Sequence, residues 1–165
     1  MAEGLSRWHP ARLWVAGLGA GYLRPAPGTW GSLAALGVWW FLLAESPAGV
    51  QLAVIAAYFV VSTVVLRPVM TACGVKDASW IVADEVAGQW LTLLGASQVW
   101  WIALAGFMLF RLFDIAKPWP VGWVDRRVPG ALGVMLDDVV AGVMAWAVLQ
   151  VAVPAIGHIA GLPAG

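Results

Sequence analysis

The sequence predicts an all-α, polytopic membrane protein with about five transmembrane helices (four to five) behind a short N-terminal segment. Three observations lead there. Of the 165 residues, 62% are apolar and 11% charged. A soluble domain has roughly 45–50% apolar and about 25% charged residues. The mean hydropathy is +0.85. The long apolar runs do not alternate, so they do not match the roughly 10-residue dyad strands of an outer-membrane barrel. Nine basic and nine acidic residues cannot clothe the surface of a soluble domain of this size. A soluble enzyme, a disordered chain and a nucleic-acid binder are thereby excluded. The lone Cys73 excludes a disulfide scaffold.

The elements follow in order. Leu13–Leu23 is apolar and Gly-rich but too short to cross, so it is either re-entrant or interfacial. Five apolar stretches come next: Gly31–Ala44, Val50–Leu66, Ser79–Gly95, Val99–Phe113 and Gly133–Val153. Most are shorter than the ~20 residues of a perpendicular span, a mismatch that bilayer thinning or interfacial anchors absorb. Pro118 and Pro120 stop the fourth helix. No internal repeat or soluble appendage interrupts the pattern, so residues 1–165 read as one membrane-embedded domain.

Charge sets the topology. All nine Lys and Arg residues lie before the first stretch, between the second and third, or around the end of the fourth. They share one side, which the positive-inside rule makes cytoplasmic, and the C-terminus falls outside. Tryptophans sort into two interfacial belts, with Trp80, Trp119 and Trp123 inside and Trp39, Trp40, Trp100 and Trp101 outside.

Acidic residues do not set topology, yet all but Glu45 fall on the same inner side. Asp84 and Glu85 lie within the third stretch, and Asp137 and Asp138 within the fifth. A carboxylate at that depth costs a few kcal/mol unless it is paired, solvated or metal-bound. Asp77 lies seven residues before Asp84 and shares its face if the helix reaches back that far. Gly88, on the same face, admits a neighbouring helix. Arg111, Asp114 and Lys117 are spaced by three, a cation–anion–cation stripe. His9 and His158 lie at opposite ends, so no His-rich zinc site forms. Clustered carboxylates without His or Cys suit a hard, oxygen-loving cation, Mg²⁺ first among them. Mg²⁺ beside Arg and Lys is equipment for handling phosphate. Before the first stretch, Thr29 or Ser32 can N-cap a helix whose free N–H groups would contact an anion.

Four blocks occur in order: Pro27-Gly28-Thr29-Trp30-Gly31-Ser32-Leu33, Ile81 to Gly88, Phe110 to Pro120 and Gly133 to Gly142. Together they resemble the phosphatidylglycerophosphatase A family of bacterial membrane enzymes, over about residues 16–150. The resemblance implies Mg²⁺-dependent removal of the terminal phosphate of phosphatidylglycerophosphate at the cytoplasmic face of the inner membrane. The substrate would be a phospholipid of the cytoplasmic leaflet. The family pattern falls on Asp77, Asp84, Glu85, Arg111, Asp114, Lys117, Asp125, Arg126, Asp137 and Asp138. The family often carries a His where this chain has Ala78, and another within Val128–Ala131, so a His base is not expected here.

These readings assign Asp84, Glu85, Asp137 and Asp138 as metal ligands or base, with Asp77 and Asp114 completing the shell. Arg111, Lys117 and Arg126 would hold the phosphate, with Thr29 and Ser32 contacting it. Two other classes compete: a different phospholipid head-group enzyme, and a small ion- or proton-coupled transporter. A transporter would place its acids near the midplane with access from both sides, whereas here they gather at one interface. The chain lacks a Cys-x5-Arg motif and an Asp-x-Asp-x-Thr/Val motif, and it has no mid-chain His, so several other phosphatase chemistries are excluded.

Overall fold

A computed structural model of the chain describes residues 4–76 and 78–160, with side chains as far as Ala155. The described residues are helical throughout, with no strand. Helix α1 (Pro10–Val15) runs into a 3₁₀ turn, Gly17–Tyr22. Helix α2 (Pro27–Val38) continues through a π turn, Trp39–Leu43. Then come α3 (Ala48–Cys73), α4 (Ala83–Thr92), α5 (Trp100–Ala116), α6 (Val121–Arg127) and α7 (Gly130–Ala160).

Local chemistry sets the boundaries. Pro27 occupies the first turn of α2, where its fixed φ and missing N–H cost nothing. The helix therefore begins before Thr29 and Ser32, and neither caps it as expected. Gly74, at φ 64, ends α3 in the left-handed conformation. Lys117 ends α5 in the same region, at φ 43, ahead of Pro118. The short helix α6 was not expected. Pro120 at its N-cap is the signal for it.

The third apolar stretch is the largest departure. It forms a helix of ten residues, about 15 Å long and half the thickness of a bilayer core. Val82 donates its N–H to the carbonyl of Val15 at 2.9 Å, and Ile81 donates to Ala78 at 2.8 Å. These bonds hold residues 78–82 out of the helix, so α4 does not extend back towards Asp77. Asp77 itself lies outside the described residues.

Helices α2, α3, α4, α5 and α7 run alternately between two ends of a bundle. At one end the buried Gln51 donates from Nε2 to the carbonyls of Leu43 (3.1 Å) and Ser46 (2.9 Å), and its Oε1 accepts from Gly95 N at 3.1 Å. Gln98 reaches the Trp40 carbonyl at 2.7 Å, and Trp146 donates to that of Leu94 at 3.0 Å. The turns after α2 and α4 thus share this end. The first turns of α2, α4 and α7 lie at the other, with the close of α5.

The central helix α4 packs most closely on α7. A Cβ on Gly88 would fall 2.6 Å from the Asp138 carbonyl oxygen, and one on Gly142 would fall 2.5 Å from the Gly88 carbonyl oxygen. Only hydrogen side chains allow this crossing. Towards the Gln51 end, Trp39, Trp90, Leu93, Ile102 and Leu149 form an apolar core. Trp39 is fully buried. It belongs to that core, with Val86 and Trp90 of α4, rather than to an interfacial belt.

Two helices, α3 and Gly130–Ala155 of α7, are long and apolar enough to cross a membrane. Much of α3 is not covered by protein: Val60, Val61 and Val64 are exposed, Val64 by 64%. The N-terminal segment folds against the bundle. Val15 and Ala16 are buried, and Trp14 Nε1 donates to Ser62 Oγ, midway along α3, at 3.0 Å.

Candidate active site

Four elements bring charged groups together at one end of the bundle, and a fifth packs against them. Asp84 and Glu85 occupy the first turn of α4, where the helix dipole favours carboxylates. Asp137 and Asp138 project two turns into α7. Helix α5 contributes Arg111 and Asp114 from its last turns, with Lys117 just beyond. Asp125 comes from α6, and α2 contributes its first turn at Gly28.

One oxygen from each of Asp84, Glu85 and Asp138 lies within 4.8 Å of the others. Arg111 borders this trio. Its Nη1 bonds Asp114 Oδ2, stands 4.0 Å from Glu85 Oε1 and donates to Ser32 Oγ at 3.4 Å. Ser32 in turn donates to the Gly28 carbonyl at 2.8 Å, so it anchors the guanidinium to α2. A Cβ on Gly28 would sit 2.3 Å from Glu85 Oε1 and 3.2 Å from both Arg111 Nη atoms. Glycine at this position is what lets α2 approach the pair.

Lys117 completes the other wall. Its Nζ donates to Asp125 Oδ1 and Asp137 Oδ2, both at 2.7 Å. Partial burial draws its pKa down, but the hydrogen bonds and charges of Asp125 and Asp137 more than reverse this and hold it above the ordinary lysine value. The expected stripe is therefore split. Arg111 and Asp114 pair as predicted, whereas the left-handed backbone at 117 turns the ammonium towards α6 and α7.

These groups surround a cavity of about 770 Å³. Among the described residues its wall carries six carboxylates (Asp84, Glu85, Asp114, Asp125, Asp137, Asp138) against three cations, Lys76, Arg111 and Lys117. Two buried carboxylate oxygens, Glu85 Oε2 and Asp137 Oδ1, have no hydrogen-bond partner among the described residues. Orphaned acceptors of this kind are costly. Converging oxygens, an excess of negative charge and buried lone pairs without donors fit a hard divalent cation.

Not every expected residue reaches the cavity. Asp84, Glu85, Asp114, Asp137, Asp138, Arg111 and Lys117 line it. Ser32 is buried behind Arg111. Thr29 is half-buried on α2 and outside the wall. Arg126 is exposed on α6 and also lies outside the wall. Lys76 and Ser79 line the cavity and were not expected there. In the sequence Lys76 is simply a loop residue and Ser79 the start of an apolar stretch.

The family model described as Phosphatidylglycerophosphatase A matches residues 13–153. The Escherichia coli protein named Phosphatidylglycerophosphatase A is 39% identical over 153 residues, covering 92% of this chain and 84% of that protein. Its Haemophilus influenzae namesake is 36% identical, covering 86% of this chain and 87% of its own. A Bacteroides thetaiotaomicron protein named Putative phosphatidylinositol-3-phosphatase is 35% identical, covering 86% and 92% respectively. No solved structure matches.

Proposed function

The chain belongs to the phosphatidylglycerophosphatase A family, and on that premise we propose that this phosphatase hydrolyses the terminal phosphomonoester of phosphatidylglycerophosphate. The products are phosphatidylglycerol, for phospholipid synthesis, and phosphate. The observation that carries the reading is the convergence of Asp84, Glu85 and Asp138 opposite Arg111 and Lys117 around one cavity.

The roles follow from the geometry. Arg111 and Lys117 bind the phosphoryl oxygens and offset charge that develops on them. Arg111 is held in place for this by Asp114 and Ser32, and Lys117 by Asp125 and Asp137. A water oxygen attacks phosphorus in line, and its P–O bond forms as the P–O bond to glycerol breaks. One of the carboxylates Asp84, Glu85, Asp137 and Asp138 takes the water's proton. The protonated carboxyl passes that proton to the glycerol oxygen, which leaves as the new hydroxyl. Asp84, Glu85 and Asp138 would hold Mg²⁺, which when bound supplies charge stabilisation to the phosphoryl group.

The proposal puts the site at the cytoplasmic face of a bacterial inner membrane. Three features support this: two helices of spanning length, the uncovered apolar face of α3, and the gathering of basic residues at the end that carries the cavity. Helices α2, α4 and α5 complete a five-segment bundle, with α4 supplemented by its flanking loops, and the N-terminal segment is re-entrant. The acyl chains of the substrate stay in the bilayer while the head group enters the cavity.

A second head group is favoured by the name of the Bacteroides relative. Phosphatidylinositol 3-phosphate likewise carries a phosphomonoester on a head group joined to its lipid by a phosphodiester. The test is phosphate release by the purified full chain in neutral detergent from phosphatidylglycerophosphate, phosphatidylinositol 3-phosphate and phosphatidic acid, each with and without Mg²⁺. Fastest turnover of phosphatidylglycerophosphate, dependent on Mg²⁺, is expected. Turnover of none of the three would remove the reading.

A further inference from the structure

Beside the acidic cavity lies a second one of about 140 Å³, and its charges are reversed. Arg7, Arg12 and Arg24 line it, and among the described residues no carboxylate does. None of the three arginines joins an ion pair with a described residue. Two are set against aromatic rings. The Arg12 guanidinium lies 4.5 Å from the Trp80 ring centroid, and that of Arg7 lies 5.8 Å from the Tyr22 centroid. Arg12 Nη1 donates to the Leu5 carbonyl, while its buried Nε has no partner among the described residues. Three like charges gathered on one wall, with no described carboxylate beside them, repel one another. Such an arrangement is an anion site by its chemistry.

The two cavities adjoin, because Pro27 and Ser79 stand in the walls of both. A ligand that fills both must carry a dianionic group for Arg111 and Lys117, a short polar bridge, and a second anion for the arginine trio. We propose that Arg7, Arg12 and Arg24 hold the internal phosphodiester of the lipid substrate while its terminal phosphomonoester reacts next door. The glycerol between the two phosphates crosses the shared wall. This rests on the phosphatase reading above and adds a criterion of specificity: the enzyme recognises a lipid by two phosphates, not one.

The same phosphodiester chemistry is offered by any neighbouring anionic phospholipid, and the experiment separates the two sources. Arg12→Gln also removes the cation over Trp80 and so confounds folding with binding. The test therefore uses the exposed pair, Arg7→Gln with Arg24→Gln, in the full chain in neutral detergent micelles. With dilute phosphatidylglycerophosphate as the only phospholipid, KM is expected to rise at least ~10-fold and kcat to stay within about two-fold. Phosphatidic acid has a phosphomonoester but no diester. Its KM, or its Ki as a competitor, is expected to be unchanged between wild type and variant. Arg127→Gln removes an exposed base away from both cavities and is expected to leave both substrates unaffected.

Equal losses for the two lipids, or an unchanged KM for phosphatidylglycerophosphate, would overturn the proposal. A difference that emerges only when phosphatidylglycerol is mixed into the micelles would assign the arginines to neighbouring lipid and overturn it too. Wild-type protein that releases no phosphate from phosphatidylglycerophosphate would instead fell the phosphatase reading, and this inference with it.

Discussion

The ammonium of Lys117 lies 2.7 Å from Asp137 Oδ2 and so ties the residue that closes α5 to the second turn of α7. A non-glycine residue at φ 43 costs roughly 1–2 kcal/mol. The pairs with Asp137 and Asp125 are what hold it there. Because the folded-state pKa of Lys117 is raised, its contribution to stability is fully present below the unfolded value of about 10.4 and is lost as pH rises through the folded value. Wild type and Lys117→Gln should therefore show parallel stability from about pH 7 to 9 and converge only above about pH 10.4. Denaturant melts across that range check this. Convergence already near neutral pH would mean that the ammonium is not held as described.

Gly28→Ala should separate stability from activity. Alanine is the better helix former by up to about 1 kcal/mol, and Gly28 sits in the first turn of α2. The new methyl would fall 2.3 Å from Glu85 Oε1. That atom ends a flexible side chain, so it moves aside at small cost to the fold but leaves its place beside Asp84 and Asp138. Thermal stability is expected to be unchanged or slightly higher, while kcat falls at least ~10-fold. A variant with wild-type kcat would show that the position of Glu85 does not matter to catalysis.

How far the sequence could be read depends on which signals are local. The all-helical class, the gathering of acids at one end of the bundle and the meeting of Asp84 and Glu85 with Asp138 follow from composition and from charges inside apolar runs. The close crossing at Gly88 was legible because a small residue followed an acid by one turn. The start of α4 was not, because residues 78–82 are apolar enough to continue a helix. What stops them is a tertiary bond from Val82 N to the Val15 carbonyl, 67 residues away in sequence. The turn of Lys117 away from Arg111 was hidden for a similar reason. Spacing by three assumes continuing helix, and the helix ends at Ala116. The arginine cavity was invisible too, since its bases first read only as topology signals.

Topology has its own test. The cavity end carries Lys76, Arg111 and Lys117, so a reporter fused after Gly74 should read as cytoplasmic and one after Gly165 as external. If both positions read as cytoplasmic, the bundle crosses an even number of times. The five-segment bundle would then be wrong.

The carboxylates separate chemistry from packing. Asp138→Asn and Asp84→Asn keep side-chain volume and remove one charge each from the trio within 4.8 Å. If these groups hold Mg²⁺ or accept the proton, kcat should fall at least ~10²-fold. The folded fraction in detergent should barely change, because removing a charge from a crowded acidic cluster relieves repulsion. An interhelical ion-pair role predicts the opposite: less folded protein, with normal specific activity in what survives. Of the acids near the cavity, Asp125 and Asp137 are paired to Lys117 and Asp114 to Arg111, whereas neither Asp84 nor Asp138 forms a described salt bridge. That difference is why these two are the informative substitutions. Chelation with EDTA should abolish wild-type activity, and Mg²⁺ should restore it better than Ca²⁺, which prefers a larger and looser shell. Glu45→Gln, in the turn after α2 at the far end of the bundle, should match wild type in all three measurements. Normal kcat in both Asp variants together with a loss in Glu45→Gln would put the reaction at the opposite end of the bundle.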